Sequence, residues 1–196
     1  MTDDDRVDMP ARAAQAQLSA IILLDQLVEN EEERAAVRDE TGRLYAALPP
    51  DIQLRLASHA YRACEEASQQ EDSRAASAFL EFGRRYAAQA EGNEGVQAVF
   101  LACLLLDFGR ALTAGDLERS DARLADLRGQ SKRVRAEDAG PDALAHALVT
   151  RMRAAHAHGD DAGADRLLAE IRDLERACPT APLRSHLESA LAYAAG

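Results

Sequence analysis

Apolar residues recur every three or four positions along most of the chain, which is the spacing of one face of an α-helix. Turn-forming residues interrupt this pattern, for example at Pro49-Pro50 and Gly159-Asp160. The pattern predicts about nine helices, the first beginning near Pro10 and the last near Thr180. The other seven are predicted at roughly 31–48, 51–68, 72–90, 96–114, 116–127, 142–158 and 160–177.

The predicted helix 96–114 is apolar on nearly all sides, whereas a surface helix keeps one polar face. We therefore expect this helix at the centre of the fold. Its longest unbroken apolar run, from Ala98 to Leu106, spans nine residues. A helix that spans a bilayer needs about 20 apolar residues, so the sequence predicts no membrane segment.

Alanine (42 residues) and leucine (25) make up about a third of the 196 residues. Val, Ile, Phe, Tyr and Thr, which strands favour, number only 24 together. Because alanine and leucine are among the best helix formers, the composition predicts an all-α fold. One domain is the simplest organisation at this length. We expect residues 1–8 to form a disordered acidic tail and residues 9–196 one domain, with a soft boundary at 129–141.

The formal net charge is −11, from 34 acidic and 23 basic residues. Such a surface repels the phosphates of nucleic acid and favours basic partners. Cys64, Cys103 and Cys178 are far apart and form no CxxC pair, so neither a disulfide framework nor a zinc finger is expected. The sequence predicts a reducing, cytoplasmic location and no cofactor. Its single lysine among 22 arginines is typical of a GC-rich bacterial genome.

Four short segments share a pattern in which one helix ends, the chain turns, and acidic residues begin the next helix. The equivalent turn positions are Asn30, Gln70, Gly115 and Gly159. Each is followed five residues later by a small side chain, namely Ala35, Ala75, Ser120 and Ala164. The turn positions are 40, 45 and 44 residues apart. A helical pattern repeated at this interval predicts antiparallel hairpins stacked on one another.

The segment from Leu148 to Pro179 resembles the tetratricopeptide-repeat family. Gly159-Asp-Asp-Ala-Gly-Ala resembles the family's turn, Ala164 its small residue in the second helix, and Leu168 the large apolar residue that follows. The resemblance implies a right-handed stack of helical hairpins whose groove binds a protein or peptide. The alternative fold is an irregular helical bundle. The hairpins of such a bundle also need similar turns, so it would produce the same turn pattern in the sequence.

The triplet Phe-Gly-Arg occurs twice, ending at Arg84 and at Arg110. A glycine within a helix costs about 1 kcal/mol relative to alanine, so Gly83 and Gly109 predict close contacts between helices. A further hypothesis is that Arg84, Arg85 and Arg110 line one groove and bind a carboxylate of a partner.

His156, His158 and Asp160 lie within five residues of each other and offer metal-ligating side chains. Metal binding is the weaker interpretation. A helix that ends in histidine and glycine, followed by a helix that begins with aspartate, explains the same residues through the helix dipoles.

These features predict a non-enzymatic protein- or peptide-binding module that acts as an adaptor, chaperone or regulatory subunit. The alternative is a small-molecule-sensing bundle with a pocket beside helix 96–114, near Phe100 and Leu104. An enzyme with a site at His156–Asp161 is the third interpretation. The partner is expected to be a protein or peptide, and the negative net charge of the chain favours a basic one. Neither nucleic acid nor a membrane is expected as a partner. A second copy of the chain could pack on the terminal face formed by Leu183, Leu187 and Leu191.

Overall fold

The computed structural model describes residues 30–70, 73–134 and 139–194, and these residues form helices and turns with no strand. Eight helices follow one another along the described chain: α1 (Glu31–Ala46), α2 (Pro50–Gln69), α3 (Ser73–Gln89), α4 (Glu94–Thr113), α5 (Leu117–Gln130), α6 (Ala139–Ala157), α7 (Asp161–Ala177) and α8 (Ala181–Ala194). The predicted all-α class is confirmed. The acidic tail 1–8 and the helix predicted near Pro10 lie outside the described residues, so a total of nine helices stays a prediction.

The predicted helix boundaries agree with the structure to within a few residues, except at the predicted break 129–141. There α5 continues to Gln130 and α6 begins at Ala139. Both ends of the predicted break are therefore helical. Pro141 lies in the first turn of α6, where the missing N–H of proline has no helical partner to lose.

Two of the aligned turns have the same geometry. Gly115 and Gly159 both adopt a left-handed conformation, with φ of 71° and 75°, which is accessible to glycine at little cost. The next residue in each turn, Asp116 or Asp160, begins a helix by accepting a hydrogen bond from a backbone N–H three residues on, at 3.0 Å and 2.9 Å. The turn between α4 and α5 thus recurs 44 residues later between α6 and α7.

The contacts between helices follow their order along the chain, and the even-numbered helices connect one hairpin to the next. The even-numbered helices form a row in which α2 contacts α4, α4 contacts α6, and α6 contacts α8. Each of the hairpins α2–α3, α4–α5 and α6–α7 is also closely packed, and each odd-numbered helix from α3 onward contacts the even-numbered helix after it. Successive hairpins therefore pack side by side along the even-numbered row.

Two buried glutamines connect successive hairpins, and each is the fourth residue of its helix. In α2, the side-chain amide of Gln53 donates to the carbonyl of Tyr45 at the end of α1, at 3.1 Å. In α4, the amide of Gln97 donates to the carbonyls of Ala87 and Ala90 at the end of α3, at 2.7 Å and 2.9 Å. We call these contacts the glutamine joints.

The carbonyl oxygen of each glutamine accepts a hydrogen bond from a residue farther along the chain. Asn93 donates to Gln53 at 3.0 Å, and Gln130 donates to Gln97 at 2.9 Å. Each joint therefore links three successive segments. Gln53 and Gln97 are 44 residues apart.

An ion pair between odd-numbered helices also recurs after 44 residues. Arg84 of α3 pairs with Asp126 of α5, and Arg128 of α5 pairs with Glu170 of α7 through two hydrogen bonds of 2.7 Å. Both the arginines and the acidic residues are 44 positions apart. The same shift aligns Ser120 with Ala76, which is buried, rather than with Ala75.

The core is centred on α4, as its apolar sequence predicts. Val96, Leu104 and Phe108 are each at most 2% exposed, and α4 contacts helices on both sides of it in the even-numbered row. Within the described ranges, α4 alone is long and apolar enough to cross a membrane by length and composition, and half of that stretch is buried. A helix in the core of a soluble protein meets the same criteria of length and composition.

Substitution of Gly140 by alanine is expected to destabilise the protein. An added Cβ would lie 2.3 Å from the backbone oxygen of Ser131, a contact that the backbone must move to relieve. At Gly129 in α5 an added Cβ meets no described atom within 4 Å. The better helix propensity of alanine is therefore expected to raise the free energy of unfolding by up to about 1 kcal/mol. Urea unfolding of Gly140→Ala and Gly129→Ala measures both, and equal effects would contradict the close approach at Gly140.

Substitution of Gln97 by leucine is expected to lower the free energy of unfolding by about 1–3 kcal/mol. The change removes the donor to the carbonyls of Ala87 and Ala90 and the side-chain acceptor of Gln130. Gln130 keeps its bond to the backbone carbonyl of Gln97, and Ala90 keeps the bond from the N–H of Asn93, so the carbonyl of Ala87 loses most. The matched control is Gln69→Leu at an exposed position of α2, which should change stability by less than about 0.5 kcal/mol. Equal stability of the two variants would show that the joint contributes nothing.

Candidate functional site

A groove of about 610 Å³ lies along the second half of α4. Ser68 at the end of α2 and Asp116 and Arg119 at the start of α5 form its other sides. From α4, Leu105, Leu106 and Arg110 line it. Binding pockets for small ligands commonly measure about 300–1,000 Å³. We call this feature the α4–α5 groove.

Beside the groove, one buried carboxylate binds several arginines. Asp107 of α4 is 2% exposed and accepts hydrogen bonds from Arg119 and Arg123 of α5, the latter at 2.7 Å. Arg110 lies 3.9 Å from the same carboxylate. Three guanidinium groups therefore surround one negative charge. A buried charge requires such partners, since removal of one partner of a buried pair costs about 3–5 kcal/mol.

The arginine cluster continues onto α3 through a second carboxylate. Asp126 accepts hydrogen bonds from Arg123 at 2.8 Å and from Arg84. Burial acts to lower the pKa of Arg123, but its hydrogen bonds to Asp107 and Asp126 outweigh this effect and hold that pKa above its ordinary value. The network joins α3, α4 and α5.

The three arginines predicted to share a groove lie in different places. Arg110 lines the α4–α5 groove. Arg84 belongs to the same charge network through Asp126 but is not among the residues that line the groove. Arg85 pairs with Glu81 on its own helix at 3.3 Å. The structure thus brings Arg110 together with Arg119, which the sequence pattern does not single out.

The glycines of the two Phe-Gly-Arg triplets differ in their surroundings. An added Cβ at Gly83 would lie 3.4 Å from the ring of Phe100, so the predicted close contact is present there. At Gly109 an added Cβ would meet none of the described atoms within 4 Å, and the predicted helix contact is wrong at this position. Gly109 lines the groove instead, and its lack of a side chain keeps that space open.

Phe100 and Leu104, the residues of the alternative small-molecule pocket, lie in the core. They are 7% and 0% exposed, and neither is among the residues that line the α4–α5 groove. The groove does border the predicted helix, but along its second half.

The histidines of the weak metal-site hypothesis make local hydrogen bonds. The Nδ1 atom of His156 lies 2.9 Å from a carboxylate oxygen of Asp161, and Nδ1 of His158 lies 2.7 Å from the carbonyl of Ala154. Asp160 accepts the N–H of Gly163 at the start of α7. In the part of the chain that the structure describes, no three His, Cys, Asp or Glu side chains are placed to hold a metal ion.

The terminal face of α8 is mostly covered by the rest of the fold. Leu183 is fully buried and Leu187 packs against the core, whereas Leu191 is 39% exposed. Tyr193 is also exposed and lies edge-on to His156, with ring centres 5.8 Å apart. Of the three leucines predicted to meet a second copy, Leu191 is the one with substantial exposure.

Two of the three cysteines are small buried side chains of the core. Cys64 and Cys103 are each 1% exposed. Burial raises the pKa of both thiols, that of Cys103 to about 12. Because the thiolate is the nucleophilic form, neither side chain is suited to nucleophilic catalysis near neutral pH.

No model of a protein family, no curated protein and no solved structure matches this chain.

Cys178 is expected to react with Ellman's reagent at pH 8 much faster than the other two cysteines. It is partly exposed, whereas the raised pKa and burial of Cys64 and Cys103 suppress their thiolates. Addition of urea should release the two slow thiols, and Cys178→Ser should remove the fast phase. Three equal rates in the folded protein would contradict the burial.

The raised pKa of Cys103 also predicts a dependence of stability on pH. Because the pKa of this thiol is higher in the folded than in the unfolded protein, its contribution to the free energy of unfolding should decline as the pH rises from about 9 to about 12.

Proposed function

We propose that the chain is a non-enzymatic, cytoplasmic protein- or peptide-binding module that acts as an adaptor, chaperone or regulatory subunit. Its fold would be a tetratricopeptide-repeat-like, right-handed stack of helical hairpins. The alternating helix contacts, the recurring turn and the ion pairs repeated after 44 residues support this stack. Stacks of helical hairpins form extended surfaces that commonly bind peptides or other proteins.

The α4–α5 groove is the observation on which the proposed binding function depends. Its apolar residues offer burial to side chains of a peptide, while Arg110 and Arg119 offer directed hydrogen-bond donors. This combination of apolar walls with a few polar groups is typical of binding sites. Arg84 supports the site from outside, because it holds Asp126 and through it Arg123.

A small-molecule ligand is the second candidate, because a volume of about 610 Å³ also suits a compound of moderate size. Such a ligand would lie against Leu105 and Leu106 rather than beside Phe100 and Leu104. Binding of compounds but of no peptide would favour this candidate.

Substitution of Gly109 by phenylalanine is expected to abolish peptide binding by placing a ring in the α4–α5 groove. An added Cβ at Gly109 meets none of the described atoms within 4 Å, and Gly109 lines the groove, so the added ring is expected to extend into that space. A display library of random peptides, selected on the wild-type protein, supplies ligands whose affinities can be measured by fluorescence anisotropy. The matched control is Gly129→Phe, which adds the same ring at an open position of α5 outside the groove. Equal binding by both variants, or no selected peptide at all, would contradict the proposed site.

A further inference from the structure

The geometry points to a peptide carboxylate as the ligand group of the α4–α5 groove, bound by Arg110 and by the outward edge of Arg119. This inference rests on the proposed binding function and specifies the chemistry of the partner. It also differs from the expectation drawn from the whole chain, whose net charge of −11 favours a basic partner.

Arg119 is held in a fixed orientation by one edge of its guanidinium. Its Nε and Nη2 atoms donate to the carboxylate of Asp107, and Nη2 also lies 3.3 Å from the hydroxyl of Ser77. The remaining nitrogen, Nη1, makes no hydrogen bond to any residue in the described ranges. Because Arg119 lines the groove and is about one-third exposed, this donor is available to a ligand there.

The buried carboxylate of Asp107 reduces the entropy that the side chain of Arg119 would lose when a ligand binds. An arginine that is free in solution loses side-chain entropy when it binds a ligand. At Arg119 the bonds to Asp107 have already restricted the side chain. Asp107 is therefore a positioning residue for the groove: it orients the arginine and does not itself meet the ligand.

The charges around the groove favour an anionic group. The network of Asp107 and Asp126 contains four arginines, namely Arg84, Arg110, Arg119 and Arg123. Asp116 also lines the groove, but its carboxylate accepts the backbone N–H of Arg119 at the positive end of α5. Among the described residues that line the groove, two are arginines and one, Asp116, is acidic. A carboxylate is the complementary group that guanidinium binds most specifically.

The apolar part of the groove defines the rest of the ligand. Leu105 and Leu106 line the same space as Arg110, so apolar side chains next to the carboxylate would be removed from water. The expected ligand is a peptide with an acidic side chain, or its terminal carboxylate, next to leucine-like residues.

Three short labelled peptides of alanine and leucine test this assignment by fluorescence anisotropy. All are acetylated and amidated at their ends, and they differ only in a central Glu, Gln or Lys. The Glu peptide is expected to bind at least about tenfold more tightly than the Gln peptide, because a charged hydrogen bond is stronger than a neutral one. This preference should decline as salt is added. A fourth peptide, with central Gln and a free terminal carboxylate, shows whether the chain end can supply the same group.

Arg119→Gln is expected to remove the preference for Glu over Gln, and Gly109→Phe to abolish binding of both. The matched control is Arg176→Gln, which makes the same change in charge on α7 at a pair with Asp173, and should leave the preference intact. Equal binding of the Glu and Gln peptides, or tighter binding of the Lys peptide, would overturn the carboxylate assignment while the binding function stands. Absence of binding by every peptide would overturn both.

Discussion

The buried glutamine joints are the contacts on which the arrangement of the hairpins depends. Each places a primary amide away from water, where its two N–H donors and its carbonyl oxygen all need partners, and an unsatisfied group there costs about 1–3 kcal/mol. Gln97 meets this requirement by joining the end of α3, the start of α4 and Gln130 at the end of α5. Apolar packing alone would let helices slide or rotate against each other at modest cost. A fully bonded amide allows one register, so it fixes where the next hairpin begins.

This fixed register brings charged side chains together beside the groove. Asp107, near the end of α4, lies opposite the first turns of α5, where Arg119 and Arg123 can reach its carboxylate. On the odd-numbered helices, Arg84 pairs with Asp126 and Arg128 with Glu170, each on the next odd-numbered helix. The groove exists because Gly109 leaves space on α4 while the neighbouring Arg110 and Arg119 are held by the buried carboxylate of Asp107. The proposed binding site is thus a consequence of the joints and of one absent side chain.

The sequence predicts the helices well because their signals are local. Helix propensity, apolar periodicity and the turns at Gly115 and Gly159 depend on neighbouring residues, and the structure confirms them at nearly the predicted positions. Contacts between helices are harder to predict, as the two Phe-Gly-Arg triplets illustrate. Both glycines have the same neighbours in sequence, yet Gly83 packs against Phe100 and Gly109 borders open space. The difference depends on which helix lies opposite. The sequence does contain one indication of the charge network, because an acidic residue such as Asp107 within an apolar helix requires buried partners. That these partners are Arg119 and Arg123 follows only from the fold.

Hydrogen exchange of the glutamine side-chain amides, followed by NMR in the ¹⁵N-labelled protein, tests the central role of the joints most directly. Gln53 and Gln97 are 6% and 0% exposed and donate to backbone carbonyls, so their amide protons should exchange far more slowly than those of the exposed Gln69 and Gln89. Exchange of Gln97 as fast as that of Gln69 would show that its amide meets water. The hairpins would then be held together by something other than the glutamine joints.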